Sequence, residues 1–313
     1  DFRTWPERYQ NPESEEVKIL ASLHSEEIEI YKYSQFCMHE QQLFIKELYN
    51  ELGLKREVNI AFGIDPSASG DVWALQGKAF NIEYELGTDN GQNWCIPPYI
   101  TESEAYYELM EQRIKYLAQY IDVIFLDHMC GYATQYIIKK GVPNDPGRYE
   151  IDPSNRAQKI KNVKRIIKIA LKHGLEVGGE TLGDAPRQSA VEEAIRKMKK
   201  EGHPIAEMYV APHKSLGGQY SNPQKLPEDI ELFLTTHDLP TIIQILCGKR
   251  GDIDLWDFRY PEHKIANFLS QQFGILTTPN QTPLNPEDIT SQMGIAMLEA
   301  FVTSSAQTVT IPL

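Results

Sequence analysis

The chain has 313 residues, of which 41% are hydrophobic and 24% are charged, as is ordinary for one globular domain with a substantial core. Its formal net charge of −13 argues against broad binding to nucleic acid or to anionic membranes, and is compatible with a neutral substrate. No stretch approaches the roughly 20 apolar residues of a membrane span, and no signal peptide opens the sequence. The four cysteines have no paired spacing, which predicts a reducing, cytoplasmic setting.

Apolar periodicity predicts long helices and short strands in the first half of the chain. Gly53 stands where a helix C-terminus favours glycine, and Thr101 with Glu104 has the spacing of a capping box. The predicted elements are a helix at 15–54, a strand at 58–62, a Gly-, Pro- and Asn-rich loop to Thr101, a helix at 102–120 and a strand at 123–126.

The second half continues the alternation of helices and strands. Its predicted elements are a helix at 154–173, a strand at 175–177, a helix at 190–200, strands at 208–210 and 231–235, helices at 241–247, 261–273 and 286–303, and a strand at 307–311. Such alternation is typical of βαβ units with a parallel sheet. Six strands are two fewer than a (β/α)₈ barrel contains. A doubly wound open sheet is the alternative, although no Gly-rich turn marks a nucleotide site.

Three carboxylates follow predicted strands. Asp127 comes directly after the strand at 123–126, Glu180 follows the third strand, and Asp238 follows the fifth. Because the carboxyl ends of parallel strands meet at one rim of the sheet, we expect these side chains to converge there. Converging carboxylates suit chemistry on a glycosidic bond. No C-x-x-C or H-E-x-x-H spacing is present, so we predict no metal site.

Short motifs along the chain resemble those of one enzyme family. They are W-P-E at 5–7, Y-K-Y-S-Q-F at 31–36, D-V-W-A at 71–74, G-Q-N-W at 91–94, D-H at 127–128, E-T-L-G at 180–183, T-H-D at 236–238 and I-P-L at 311–313. Each motif is weak alone, but their order over most of the chain is similar to that of the 4-α-glucanotransferases, or amylomaltases, of glycoside hydrolase family 77.

The resemblance implies a (β/α)₈ TIM barrel, an α/β fold to which this chain supplies about six of the eight strands. The family's nucleophile, acid and stabilising Asp follow barrel strands four, five and seven. The predicted strands place the three carboxylates after the second, third and fifth, so two missing strands bring the counts into agreement. We therefore expect residues 1–313 to form a single barrel domain that lacks its first two strands and last helix, with further polypeptide completing the barrel.

The resemblance also implies a retaining mechanism without a cofactor. Asp127 is the expected nucleophile, Glu180 the acid and base, and Asp238 the residue that stabilises the charged transition state. The expected substrate is an α-1,4-glucan or a maltooligosaccharide, with an acceptor sugar in place of water.

Four further residues are candidates for substrate binding. His128 and His237 each stand beside one of these aspartates, while Gln92 and Trp94 lie in a polar loop and are expected to line the acceptor side. A structural role for the two histidines is a comparably simple interpretation.

Several positions depart from the family pattern. Phe125 stands where the family has Arg two residues before the nucleophile, Cys130 replaces a second Arg, and Leu239 replaces Asn. These changes leave two hypotheses: a divergent 4-α-glucanotransferase, or a non-catalytic relative that binds glucan or serves in assembly. A metal-dependent barrel hydrolase is a weaker third, since no ligand cluster supports it.

Overall fold

The structure is a computed structural model. It describes residues 1–67, 69–152, 154–181, 185–203, 205–210, 230–233, 249–250, 253–254, 295, 298–299, 302–306 and 308–310. These residues fall into two compact units, Asp1–Ile205 and Ala206–Leu313.

The first unit alternates helices and strands after an N-terminal helical segment. Its helices are α1 (Glu7–Gln10), α2 (Glu15–Leu23), α3 (Ser25–Glu51), α4 (Gly70–Ala74), α5 (Glu104–Leu117), α6 (Met129–Ala133), α7 (Arg156–Lys172) and α8 (Ala185–Lys200), after one 3₁₀ turn at Phe2–Thr4. Its strands are β1 (Glu57–Ile60), β2 (Tyr84–Gly87), β3 (Val123–Leu126), β4 (Tyr136–Lys139), β5 (Arg148–Tyr149) and β6 (Glu176–Gly179).

The helix predicted over 15–54 is two helices. His24 has φ −109° and ψ 29°, outside the helical region, and separates α2 from α3. The Ser14 side chain caps α2 by accepting a hydrogen bond from the backbone N–H of Val17 at 3.3 Å. The predicted end is confirmed, because Gly53 adopts φ 67° and the N–H of Leu54 donates to the carbonyl of Tyr49 at 2.9 Å.

Three parallel strands form the centre of the first unit. β3 pairs with β1 on one side and with β6 on the other, so that Leu126 is in register with Ile60 and with Gly179. All four residues of β3 are buried, as a short apolar run between covering helices requires. The three strands predicted from apolar runs in this unit are confirmed, with ends that differ by one or two residues.

Helices α5, α7 and α8 of the first unit each bury one face. α5 begins at Ser103, whose side chain accepts from the N–H of Ala105 at 3.2 Å. The predicted capping box is therefore wrong, and the N–H of Thr101 instead donates to the Glu150 carboxylate at 3.3 Å. α7 lies within two residues of its predicted bounds, whereas α8 ends as predicted but begins five residues earlier, at Ala185. In α8, Val191, Ala194, Ile195 and Met198 are fully buried, and each larger side chain contributes roughly 1.5–3 kcal/mol.

The segment predicted as one long loop contains regular structure. β2 pairs antiparallel with β4, and β4 with β5, which gives a three-stranded sheet. Leu86 lies opposite Ile137 in this sheet, and both are buried. The sheet holds the turn at 88–94, because the N–H of Trp94 donates to the Leu86 carbonyl at 2.8 Å.

Strand β7 (Ile205–Val210) begins at the boundary, and the second unit adds β8 (Ile230–Phe233), β9 (Lys249–Arg250), β10 (Ile253–Asp254) and β11 (Thr308–Thr310). β8 pairs in parallel with β7 and with β11, which confirms the three predicted strands. The helices predicted at 241–247 and 261–273, and most of that at 286–303, lie outside the described residues. Within the described ranges, Cys37, Cys95 and Cys130 form no disulfide. None of the helices described there combines the length and the hydropathy of a membrane-spanning segment.

Candidate active site

Two of the predicted carboxylates lie at one edge of the central strands. Asp127 follows β3 and Glu180 follows β6, directly after the registered pair of Leu126 and Gly179. The parallel ladder continues to this point, because the N–H of Glu180 donates to the Leu126 carbonyl at 3.0 Å and that of Asp127 to the Ile60 carbonyl at 3.3 Å. Neighbouring strands lie about 4.8 Å apart. The backbone thus brings the two residues side by side.

The turn after Asp127 holds Glu180 in place. His128 adopts the left-handed conformation, with φ 42° and ψ 53°, which is uncommon for a residue other than glycine. Its backbone N–H donates to Oε2 of Glu180 at 3.1 Å, and the next N–H, that of Met129, donates to the Glu180 carbonyl at 2.9 Å. Both amides therefore reach across from the end of β3 to the end of β6, and one of them orients the carboxylate.

Aromatic rings surround His128 and bring two further candidates to the site. The Trp94 ring lies edge-on to the imidazole at 5.3 Å between centroids, and the Phe62 ring lies 5.5 Å from it. The indole N–H of Trp94 donates to Oε1 of Gln92 at 3.2 Å. Gln92 is exposed and Trp94 half-buried, so this wall presents both an apolar face and polar groups.

Phe125 is the departure that lies nearest the candidate nucleophile. Its ring is 5% exposed, and its registered neighbours are Asn59 on β1 and Gly178 on β6. Alternation along β3 places Phe125 and Asp127 on the same side of the strand. A phenyl group has no hydrogen-bond donor for a carboxylate, so the contribution that the family's Arg makes at this position is absent.

Tyr132 is a residue that the sequence did not single out. Its hydroxyl is buried, with no hydrogen-bond partner among the described residues, and its ring lies 5.0 Å from that of Phe62. Burial raises the pKa of Tyr132 well above its ordinary value, and the charge of Asp127 acts in the same direction. No sequence signal distinguishes this tyrosine from the other core tyrosines.

Asp238 and His237 lie outside the described residues, so their positions stay predictions. Within the described part of the chain, no group of three His, Cys, Asp or Glu side chains is arranged to hold a metal ion. Cys130, at the second departure, is buried and lies 3.7 Å from the carbonyl of Thr181.

Known proteins were compared with the chain as a whole. The sequence model described as 4-alpha-glucanotransferase, glycoside hydrolase family 77, matches residues 1–313. A 4-alpha-glucanotransferase of Haemophilus influenzae is 22% identical over 248 residues, which are 76% of this chain but 34% of the relative. The chain therefore spans about a third of that protein.

Solved structures show the same fold. Amylomaltase from Corynebacterium glutamicum matches 90% of this chain and 42% of its own, with a TM-score of 0.66 and 16% identity. Amylomaltase from Streptococcus agalactiae, solved in complex with acarbose, matches 96% of this chain and 67% of its own, with a TM-score of 0.62 and 16% identity. The parallel α/β architecture thus corresponds to that of the amylomaltase barrels over much of the chain.

Proposed function

Because the chain belongs to the 4-alpha-glucanotransferases of glycoside hydrolase family 77, we propose that it transfers α-1,4-glucan segments between maltooligosaccharides in the cytoplasm. The observation that carries this proposal is the pair of carboxylates at the ends of β3 and β6. Their strands are adjacent, and one carboxylate is oriented by the backbone of the residue that follows the other. Backbones of neighbouring strands lie about 4.8 Å apart, so side chains from these two strand ends can bring their carboxyl groups to the roughly 5 Å that retaining enzymes use.

The proposed reaction has two displacements. Asp127 attacks the anomeric carbon while Glu180 gives its proton to the leaving glycosidic oxygen, and the glycosyl group becomes bonded to Asp127. An acceptor hydroxyl then gives its proton to Glu180 and attacks the same carbon, which releases Asp127. Asp238 stabilises the oxocarbenium-like transition state in this scheme. No cofactor takes part.

The sugar-binding part of the proposal rests on the wall around His128. Gln92 offers amide groups to sugar hydroxyls, and the Trp94 indole offers an apolar face for a pyranose ring. In this scheme His128 and His237 donate hydrogen bonds to the sugar. The homologue solved with acarbose makes the same ligand a suitable probe here.

The proposal includes further polypeptide that completes the barrel. The described residues hold three strands, β1, β3 and β6, that pair in parallel, and three more, β7, β8 and β11, that pair in parallel among themselves, whereas a closed (β/α)₈ barrel has eight. The chain also covers 42% of one matched structure and 67% of the other.

Chromatography of products from maltotriose tests the activity. We expect the folded protein to give a ladder of shorter and longer maltooligosaccharides, and Asp127→Asn to give none. Glu176→Gln is the matched control, since Glu176 lies at the opposite end of β6, where it pairs with Lys55, and it should retain full activity. Unchanged maltotriose in a folded sample would overturn the transferase proposal.

A substrate with an activated leaving group distinguishes the proposed roles of Asp127 and Glu180. Maltotriosyl fluoride needs little protonation of its leaving group, so Glu180→Gln should release fluoride while losing about 10²–10⁴-fold of its activity on maltotriose. Asp127→Asn should fail with both substrates. Equal loss on both substrates in Glu180→Gln would exclude Glu180 as the acid.

Phe125 favours a second candidate, a non-catalytic relative that binds glucan. A buried apolar ring at this position provides no donor to hold the neighbouring carboxylate. This candidate predicts that calorimetry detects acarbose binding while maltotriose stays intact over the same period. The transferase predicts both binding and product exchange.

A further inference from the structure

The outer face of α7 carries an unusual concentration of positive charge. Its 17 residues include seven Lys and Arg and no Asp or Glu, although the chain as a whole has a net charge of −13. Together with α8, this face borders a groove of about 560 Å³. The cations that line the groove are Lys161, Lys164, Arg165, Lys168, Lys172 and Lys197.

Five of the seven cations of α7 line the groove, from Lys161 to Lys172, and these five form a line. At 100° per residue they fall within an arc of about 100°, and the rise of 1.5 Å per residue spreads them over about 16 Å from Lys161 to Lys172. Lys161 and Lys168 are exposed and have no ion-pair partner within the described residues. The carboxylates whose charges they influence, Glu104 and Glu201, are already paired with other cations. Two charges of the line are therefore available to a ligand.

Four of the six cations have carboxylate partners. Glu104, Glu111, Glu193 and Glu201 pair with them from outside, and none of the four lines the groove. Exposed ion pairs of this kind contribute about 0–1 kcal/mol each. Because these ion pairs are weak, an anion that carries several charges can compete with the carboxylates for the cations.

The chemistry of the lining restricts the ligand. Besides the cations, the groove is lined by Ala157, Ile160 and Ile169, so every polar side chain in it is a hydrogen-bond donor and none is an acceptor. A sugar or a peptide brings donors of its own, which would find no side-chain acceptor here. A ligand that only accepts hydrogen bonds, and that carries negative charges spaced along a chain, can pair with all the cations of the lining. Lysine is also a common partner of phosphate as a point charge.

We propose that the groove between α7 and α8 is a binding site for an oligophosphate, a chain of at least three linked phosphate groups. Such a chain is available as inorganic polyphosphate or as the triphosphate of a nucleotide, and both share the chemistry that the groove recognises. The site is separate from the candidate active site, and its occupation needs no glucan chemistry. The test below can therefore fail or succeed independently of the transferase proposal.

Calorimetric titration of the full chain with sodium tripolyphosphate tests the site. We expect one molecule bound per chain, with an affinity that falls as salt rises from about 0.05 to 0.2 M, because several charges are screened together. The variant Lys161→Glu/Lys168→Glu should bind at least about tenfold more weakly, a loss of about 1.4 kcal/mol. Lys161→Gln/Lys168→Gln, with half the charge change, should show an intermediate loss.

The matched control is Lys18→Glu/Lys32→Glu on α2 and α3, where both lysines are exposed. It makes the same change in net charge away from the groove and should bind within about twofold of the unmodified chain. An equal loss in this control would show that net charge alone governs binding and would overturn the site. Circular dichroism confirms that each variant is folded.

Two further titrations measure the effect of releasing one more cation and identify the chemical class of the ligand. Glu111→Gln releases Lys172 from its ion pair and should strengthen tripolyphosphate binding. ATP that binds as tightly as tripolyphosphate indicates a nucleotide triphosphate as the source, and tripolyphosphate that binds alone indicates an inorganic chain. Displacement of tripolyphosphate by hexaglutamate at equal concentration would assign the face to an acidic protein and overturn the proposal, as would the absence of any binding at low salt.

Discussion

Gly131 is a rim residue at which an added side chain would meet a buried aromatic ring. It lies in α6, four residues after Asp127, and a Cβ added there would come within 2.5 Å of Cζ and 2.6 Å of Cε1 of Phe62. Both distances are far inside van der Waals contact. The backbone of Gly131 does not have a positive φ, so alanine meets no conformational strain there. The contact with Phe62 alone decides the effect of Gly131→Ala.

The Phe62 ring has little room to move away. It is 8% exposed, and its centroid lies 5.0 Å from the ring of Tyr132 and 5.5 Å from that of His128. Overpacking of this kind costs about 1–3 kcal/mol, which exceeds the gain of up to about 1 kcal/mol that alanine brings to a helix. A displaced ring also pushes His128, whose N–H orients Glu180. We therefore expect loss of stability together with reduced transfer activity.

Urea unfolding followed by circular dichroism measures the cost. Gly70→Ala is the control, because no atom lies within 4 Å of its added Cβ, and it should not destabilise the chain. Phe62→Leu combined with Gly131→Ala should cost less than the sum of the two single changes, since the smaller side chain makes space. A Gly131→Ala chain as stable as the unmodified one, or strict additivity in the double variant, would refute the reasoning.

Three other changes test burial at the core and around the site. Ile124→Ala in β3 empties a fully buried position and should lower the free energy of unfolding by about 2–5 kcal/mol in urea titration. Tyr132→Phe removes a buried hydroxyl that lacks a partner among the described residues, so the thermal midpoint should stay the same or rise, and a clear fall would reveal a hidden partner. Burial raises the pKa of Glu150, so the folded chain keeps a proton that the unfolded chain has released. Stability should therefore decrease as pH rises from about 4.5 through this raised pKa, and Glu150→Gln should flatten the decrease in urea titrations at successive pH values.

The strands were predictable because buried parallel strands are short apolar runs. The runs at 58–62 and 123–126 both became strands, with the second at its predicted bounds. Helix ends were less predictable. Thr101 has capping-box spacing, yet Ser103 caps α5, because the N–H of Thr101 is used by Glu150 from a distant part of the chain. Such long-range partners leave no local pattern.

The closeness of Asp127 and Glu180 was predictable from the sequence, whereas the local geometry around them was not. Strand ends place Asp127 and Glu180 together, as parallel pairing requires. The left-handed turn at His128 could not be read from the sequence, because only a small share of histidines adopts that conformation, and the contact with Glu180, distant in the chain, favours it here. The antiparallel sheet that carries Trp94 was also missed, since its strands are only two to four residues long and lie far apart in the chain.

Backbone contacts set the positions of Asp127 and Glu180 at the rim. Asp127 is placed by its N–H to Ile60 and by the register of β3, and Glu180 is placed by backbone donors from the turn after β3. None of these contacts uses the side chain at position 125. Gly178 is the registered neighbour of Phe125, and its lack of a side chain leaves room for the ring. The backbone contacts therefore hold the two residues without a donor at position 125, and in the proposed reaction the missing donor would lower the stabilisation of charge on which the rate depends.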